Sequence, residues 1–133
     1  MRINKSQVTQ QVELMVGRLL RDSHLDIPMT SRSKVMKDIE GVIRNYLNEL
    51  AEIEEEAQDI LLENDIHNDP AAYRRAVSMI TEKRDFPRGE EALRYLNRKI
   101  QAYLWDSDDI EEIYSDEPKL IQCVGTYLTA MTR

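Results

Sequence analysis

The most constraining feature of the chain is the stretch from Met36 to Ile60. Its apolar residues fall at Met36, Ile39, Ile43, Tyr46, Leu50, Ile53, Ala57 and Ile60, spacings that alternate three and four. That is the a/d alternation of a heptad helix, and no Gly or Pro interrupts it after Gly41. Such a helix carries a narrow apolar seam along one side. The seam must be buried, either in the protein's own fold or in a partner. A helix over residues 32 to 63 would be roughly 45 Å long at 1.5 Å per residue, so any fold has to cover one face of a long rod.

Composition agrees with a helical answer. Four Gly and four Pro in 133 residues supply little turn chemistry, so few, long elements are expected. The stock of Leu, Ile, Met, Glu, Arg and Lys favours helix. At this length one domain with a modest core is expected, spanning residues 1–133. A first helix is predicted from Asn4, with Gln7 as its capping-box partner, along the face Val8, Val12, Met15, Val16, Leu19 and Leu20. Pro28 ends the connection after it, and Thr30, Ser31 and Ser33 offer N-caps for the heptad helix. Asp69-Pro70 starts another helix, and a fourth is predicted over 89–105. Asp106-Ser107-Asp108 breaks that one and caps a short helix carrying Ile110, Ile113 and Tyr114. Pro118 opens the last, with the face Leu120, Ile121, Val124, Leu128 and Met131.

Sliding the chain against itself by 57 residues brings two stretches into register. Met36, Ile39, Ile43, Tyr46, Leu47, Ile53, Glu54 and Glu55 fall on Leu93, Leu96, Ile100, Tyr103, Leu104, Ile110, Glu111 and Glu112. Asp26-Ile27-Pro28 parallels Asp85-Phe86-Pro87, displaced by 59. Charge repeats independently: residues 1–44 are net +3, 45–73 net −9, 74–99 net +4 and 100–118 net −7. The expected architecture is therefore an irregular helical bundle of two related helix–loop–helix units, about 1–66 and 67–133, around the long heptad helix. The copies differ where Leu50 and Ala57 of the first become Ser107 and Tyr114 of the second. One unbroken helix in the first copy and a kinked or two-piece helix in the second follow from that difference.

The opening Met1-Arg2-Ile3, with the Val8/Val12/Val16/Leu19 helix, resembles the start of the domain of unknown function 507 family of short bacterial proteins. So does Asp108-Asp109-Ile110-Glu111-Glu112-Ile113-Tyr114, followed by acidic residues and a final apolar helix. The resemblance spans most of the chain and implies a helical fold and a bacterial cytosolic setting. It carries no activity and no site residues.

The residues themselves offer no catalytic constellation. Net charge of −7 disfavours nucleic-acid binding by the surface as a whole. One cysteine, Cys123, cannot form an intramolecular disulfide or a cysteine-based zinc site. No apolar stretch approaches the roughly 18 residues of a membrane span, so a cytoplasmic protein without membrane contact is expected. Asp106, Asp108, Asp109, Glu111, Glu112 and Glu117 cluster like a calcium loop, yet Ile110 and Glu111 occupy its fifth and sixth positions, where glycine is required at the sixth. No metal or cofactor is expected. His24 and His67 lie in connections, far in sequence from Cys123, and Cys123 reads as a small buried residue.

Two surfaces are left. The first is a protein-interaction surface at the acidic stretches and the places where the copies diverge: Glu52, Glu55, Glu56, Asp59, Trp105, Asp106, Asp108 and Asp109. Its partner would be another protein or a second copy of this chain. The second is a nucleic-acid or phosphate-ligand surface of Arg74, Arg75, Arg94 and Arg98, which requires the third and fourth helices to pack antiparallel. A more economical arrangement pairs the basic part of each copy with the acidic part of the other.

Overall fold

The computed structural model describes residues 2–133, which form an all-α bundle of five helices and one two-stranded ribbon. Asn4 opens the fold by accepting from the Ser6 backbone amide at 3.1 Å. It caps a 3-10 turn (Lys5–Gln7) that runs straight into α1, Val8–Arg21. The cap thus works through Ser6, and Gln7 lies inside the turn instead of reaching back as a capping-box partner. α2 spans Arg32–Glu63, 32 residues entered through a second 3-10 turn, with Ser31 at its N-cap position but making no side-chain cap bond. α3 (Pro70–Arg84) is capped by the Asp69 carboxylate on the Ala72 amide. α4 (Glu90–Asp106) is followed by α5 (Glu117–Ala130), whose cap is Asp116 on the Lys119 amide.

The heptad seam is core. Ile39, Ile43, Ile53 and Ala57 are fully buried, and Met36, Leu50 and Ile60 pack half-buried against the same cluster. α3 covers the C-terminal half of α2, while α1 and α4 cover the rest and α5 lies against both α1 and α4. Burying four such side chains contributes roughly 1.5–3 kcal/mol for each large one before conformational entropy is counted.

The expected break after α4 is present, but its sequel is not a helix. α4 ends at Asp106, Ser107 is extended (ψ 132°), and the chain then forms β2, Glu112–Ile113. β2 pairs antiparallel with β1, Leu25–Asp26, with Leu25 opposite Ile113 and Asp26 opposite Glu112. Glu111 N donates to Asp26 O at 2.9 Å, and Tyr114 N to His24 O at 2.8 Å. The eight residues between Ser107 and the Asp116 cap leave room for barely two turns, and so short a helix repays its nucleation poorly. An exposed edge left by the α1–α2 connection offers the same backbone groups ready partners.

α2 and α4 cross antiparallel. The Tyr103 hydroxyl donates to Asp38 Oδ2 at 2.7 Å, while the Tyr46 and Tyr95 rings lie 6.3 Å apart. The 57-residue shift carries Asp38 to Tyr95 and Tyr46 to Tyr103, so it exchanges these two contacts. Tyr46 also stacks on Phe86 at 4.8 Å and donates to Pro87 O at 2.8 Å.

Candidate functional site

Two cations, Lys34 and Arg84, pair across from one half of the chain to the other. Lys34 in the basic first segment bonds Asp109 in the last acidic one, and also Asp38 at 3.1 Å. Arg84 of the second basic segment meets Glu56 at 2.9 Å and Glu49 at 4.0 Å. This is the economical pairing, made inside one chain. It divides the acidic candidate surface. Asp109 sits against the N-terminal turns of α2, whereas Glu52, Glu55, Glu56 and Asp59 lie at least 18 residues further along the same helix, about 27 Å away at 1.5 Å per residue. Asp106 and Asp108 are exposed beside Trp105 at the end of α4.

The four candidate arginines do not share one surface either. α3 packs on α2 instead of lying antiparallel on α4. Arg74 and Arg75 are exposed on α3, and Arg94 and Arg98 line a groove between α4 and α5.

That groove, about 630 Å³, holds the least expected polar arrangement in the molecule. Asn97 and Gln101, one turn apart on α4, are 9% and 5% exposed. Asn97 Nδ2 donates to Ile121 O at 3.0 Å, and Gln101 Nε2 donates to Asn97 Oδ1 at 3.1 Å. The chain of amides is pinned in direction at the Ile121 carbonyl, which can only accept. It therefore ends in an acceptor, Gln101 Oε1, which is buried and has no partner among the described residues. Around it stand apolar Ala102, the half-exposed Trp105 (49%) and Ile121 (41%), with Arg94, Arg98 and Glu117 charged along the groove. Gly125 of α5 faces this amide chain, where an added Cβ would stand 3.4 Å from Asn97 Nδ2, in ordinary contact. The sequence held one signal for this site, two amides at i and i+4 beside the apolar row Leu93, Leu96, Ile100 and Leu104.

A second cleft of about 610 Å³ opens between α2, α3 and the start of α4. The Arg2 guanidinium forks onto the Glu54 carboxylate at 2.9 and 3.2 Å. That bond raises Arg2 further above its already high value. Tyr73 also donates to Glu54, at 3.4 Å, and burial, with Glu54, pushes its phenol up. Arg74 and Arg88 line the same cleft. Arg2 was not among the residues singled out by sequence, and Arg88 entered only as part of the basic 74–99 segment, because their distance along the chain hides that they share a wall.

The structure brings His24 and Cys123 onto one shallow depression with Arg18, Asp22 and Tyr127. His24 Nδ1 is engaged with Ser115 Oγ at 2.7 Å, and burial pushes the Cys123 thiol up. A raised thiol is the opposite of an activated nucleophile. Among the described residues, no group of three or more His, Cys, Asp or Glu is placed to hold a metal ion, and no helix is long and apolar enough to cross a membrane.

Comparison with curated proteins returns no match. Comparison with family models matches residues 1–132 to the family described as Protein of unknown function (DUF507).

Proposed function

For a chain that belongs to the DUF507 family, we propose a non-catalytic, cytoplasmic interaction module that docks an acidic amphipathic segment of another protein in the α4–α5 groove. The observation that carries this reading is the orphan acceptor Gln101 Oε1 at an apolar groove. An unpaired buried oxygen costs about 1–3 kcal/mol, and because Oε1 is itself buried in the empty groove, a turn of the Gln101 side chain toward a donor on an occupant would recover it. Trp105 and Ile121 supply the half-exposed apolar anchors that binding sites favour. Arg94 and Arg98 flank them, and no carboxylate lies within ion-pair range of either among the described residues. Their charge suits an acidic occupant. Of the acidic candidate surface, only Trp105 belongs to this groove, with Asp106 and Asp108 near its end.

We also read the chain as a tandem duplication of a helix–loop–helix unit. The exchange of the Tyr103–Asp38 and Tyr46–Tyr95 contacts under the 57-residue shift supports it.

The docking reading is tested by placing a photo-crosslinking residue at Gln122 on the groove and at Met79 on α3, in the source cells. Adducts to one protein from Gln122 alone, mapping to an acidic amphipathic segment and lost with Arg94→Glu/Arg98→Glu, are expected. Equal adducts from Met79, or crosslinks only to a second copy of this chain or to RNA, would refute it. Nucleic-acid binding through Arg74, Arg75, Arg94 and Arg98 is the rival reading. It is disposed of if no DNA or RNA shifts the protein at low salt.

A further inference from the structure

We propose that the cleft between α2, α3 and the start of α4 binds a small phosphate monoester carrying an apolar body. Elsewhere in this acidic protein Arg44 forks onto Glu40, Arg84 meets Glu56, and Lys34 meets Asp109. Inside the cleft Arg2 is matched as well, by Glu54. Arg74 and Arg88 are not. Neither has a carboxylate within ion-pair range among the described residues, and Arg88 is held only by donating to Ser78 Oγ at 3.3 Å. Two unmatched guanidiniums beside one cleft in a chain of net charge −7 complement a dianion, and the planar fork of arginine fits phosphate oxygens two at a time.

The rest of the cleft selects the body of the ligand. Ile3, Leu50, Val77, Ala92 and Leu93 give it an apolar lining, and Tyr46 and Tyr73 add ring surface. About 610 Å³ is the size of a small-molecule site. Gly89, at the N-cap of α4, makes no side-chain cap bond; Ala92 N donates to Gly89 O at 3.1 Å, which leaves the Glu90 and Glu91 amides without an internal acceptor at this end of the cleft. Glu90 and Glu91 follow on the helix but do not line it. A nucleic-acid strand suits the place poorly. Its polyanion would have to pass the acidic C-terminal half of α2, where Glu49, Glu52, Glu55 and Glu56 are exposed.

The test is a titration of the intact protein, followed by amide NMR, with phenyl phosphate, phenol, inorganic phosphate and a short single-stranded RNA. Saturable shifts with phenyl phosphate at Ser78, Gly89 and Ala92 are expected, with inorganic phosphate at least tenfold weaker and phenol inert. Arg74→Gln and Arg88→Gln, both at exposed positions, should each weaken phenyl phosphate at least tenfold while leaving the spectrum folded. No saturation at millimolar phenyl phosphate overturns the proposal, as do shifts that survive both substitutions. Inorganic phosphate binding equally well removes the apolar body, and RNA binding more tightly than phenyl phosphate removes the small ligand. Because the groove and this cleft meet only at Leu93, failure here leaves the docking reading standing.

Discussion

Gln101→Met and Asn97→Leu, each close in shape to the residue replaced, give a graded test of the amide chain on α4. In the native protein one buried oxygen, Gln101 Oε1, lacks a donor. Gln101→Met removes that oxygen but also the Nε2 donor of Asn97 Oδ1, so one orphan replaces another and stability should move by less than about 0.5 kcal/mol. Asn97→Leu leaves both ends of the 5%-exposed Gln101 amide unpaired and should destabilise by about 1–3 kcal/mol. The double variant leaves no orphan, since Ile121 O keeps its place in the α5 ladder. It should be more stable than the native protein by about 1–3 kcal/mol, a rise of roughly 3 °C in Tm per kcal/mol for a chain of this size. Urea unfolding followed by far-UV circular dichroism measures all three, and the double-mutant cycle isolates the coupling. The stabilised double variant should also lose the Gln122 crosslink, because the acceptor offered to the partner is gone. The reasoning fails if Gln101→Met alone stabilises as much as the double change, or if the double change destabilises.

Three further expectations concern the fold. Ile43 is fully buried in the intramolecular core, so Ile43→Ala should cost about 2–5 kcal/mol in urea unfolding at every protein concentration; a loss that varies with concentration would place the seam in an interface. Tyr103 is pushed up to about 12 by burial and by donating to the Asp38 carboxylate. A raised phenol contributes stability that is whole below its ordinary value near 10 and fades as the pH climbs through about 12; Tyr103→Phe should flatten the fall in urea midpoint across that window, and an unchanged slope would assign the fall to other groups. Gly17 and Gly41 lie inside α1 and α2 with nothing within 4 Å of an added Cβ. Replacing both with Ala should raise stability by about 0.5–1 kcal/mol each, and a loss in Tm would show that one of them admits a close neighbour.

Helices were legible wherever a single face repeats. The spacing of Met36 to Ile60 marks α2, and its observed span is the predicted 32 to 63. Asp69-Pro70 and Pro118 mark starts that local signals alone determine, and the structure adds Asp116 as the cap of the last. The segment after Ser107 was not legible. Its Ile110, Ile113 and Tyr114 suit a helix by spacing, and only the nearness of His24 and Asp26, more than eighty residues away, turns it into β2. Asn97 and Gln101 read as ordinary polar residues until α5 closes over them.

The sequence by itself determined the all-α class, the long seam and the alternation of charge, because periodicity, propensity and capping act within a few residues of each position. It did not reveal whether the seam faces a partner or the protein's own core, nor which charges meet. Those depend on which helices lie side by side. Tertiary packing put Ile43 in the interior, sent Lys34 to Asp109 and Arg84 to Glu56, and left Arg74 and Arg88 without a carboxylate and Gln101 Oε1 without a donor. An unmatched group is defined by everything around it, which is why both candidate sites emerge only once the chain is folded.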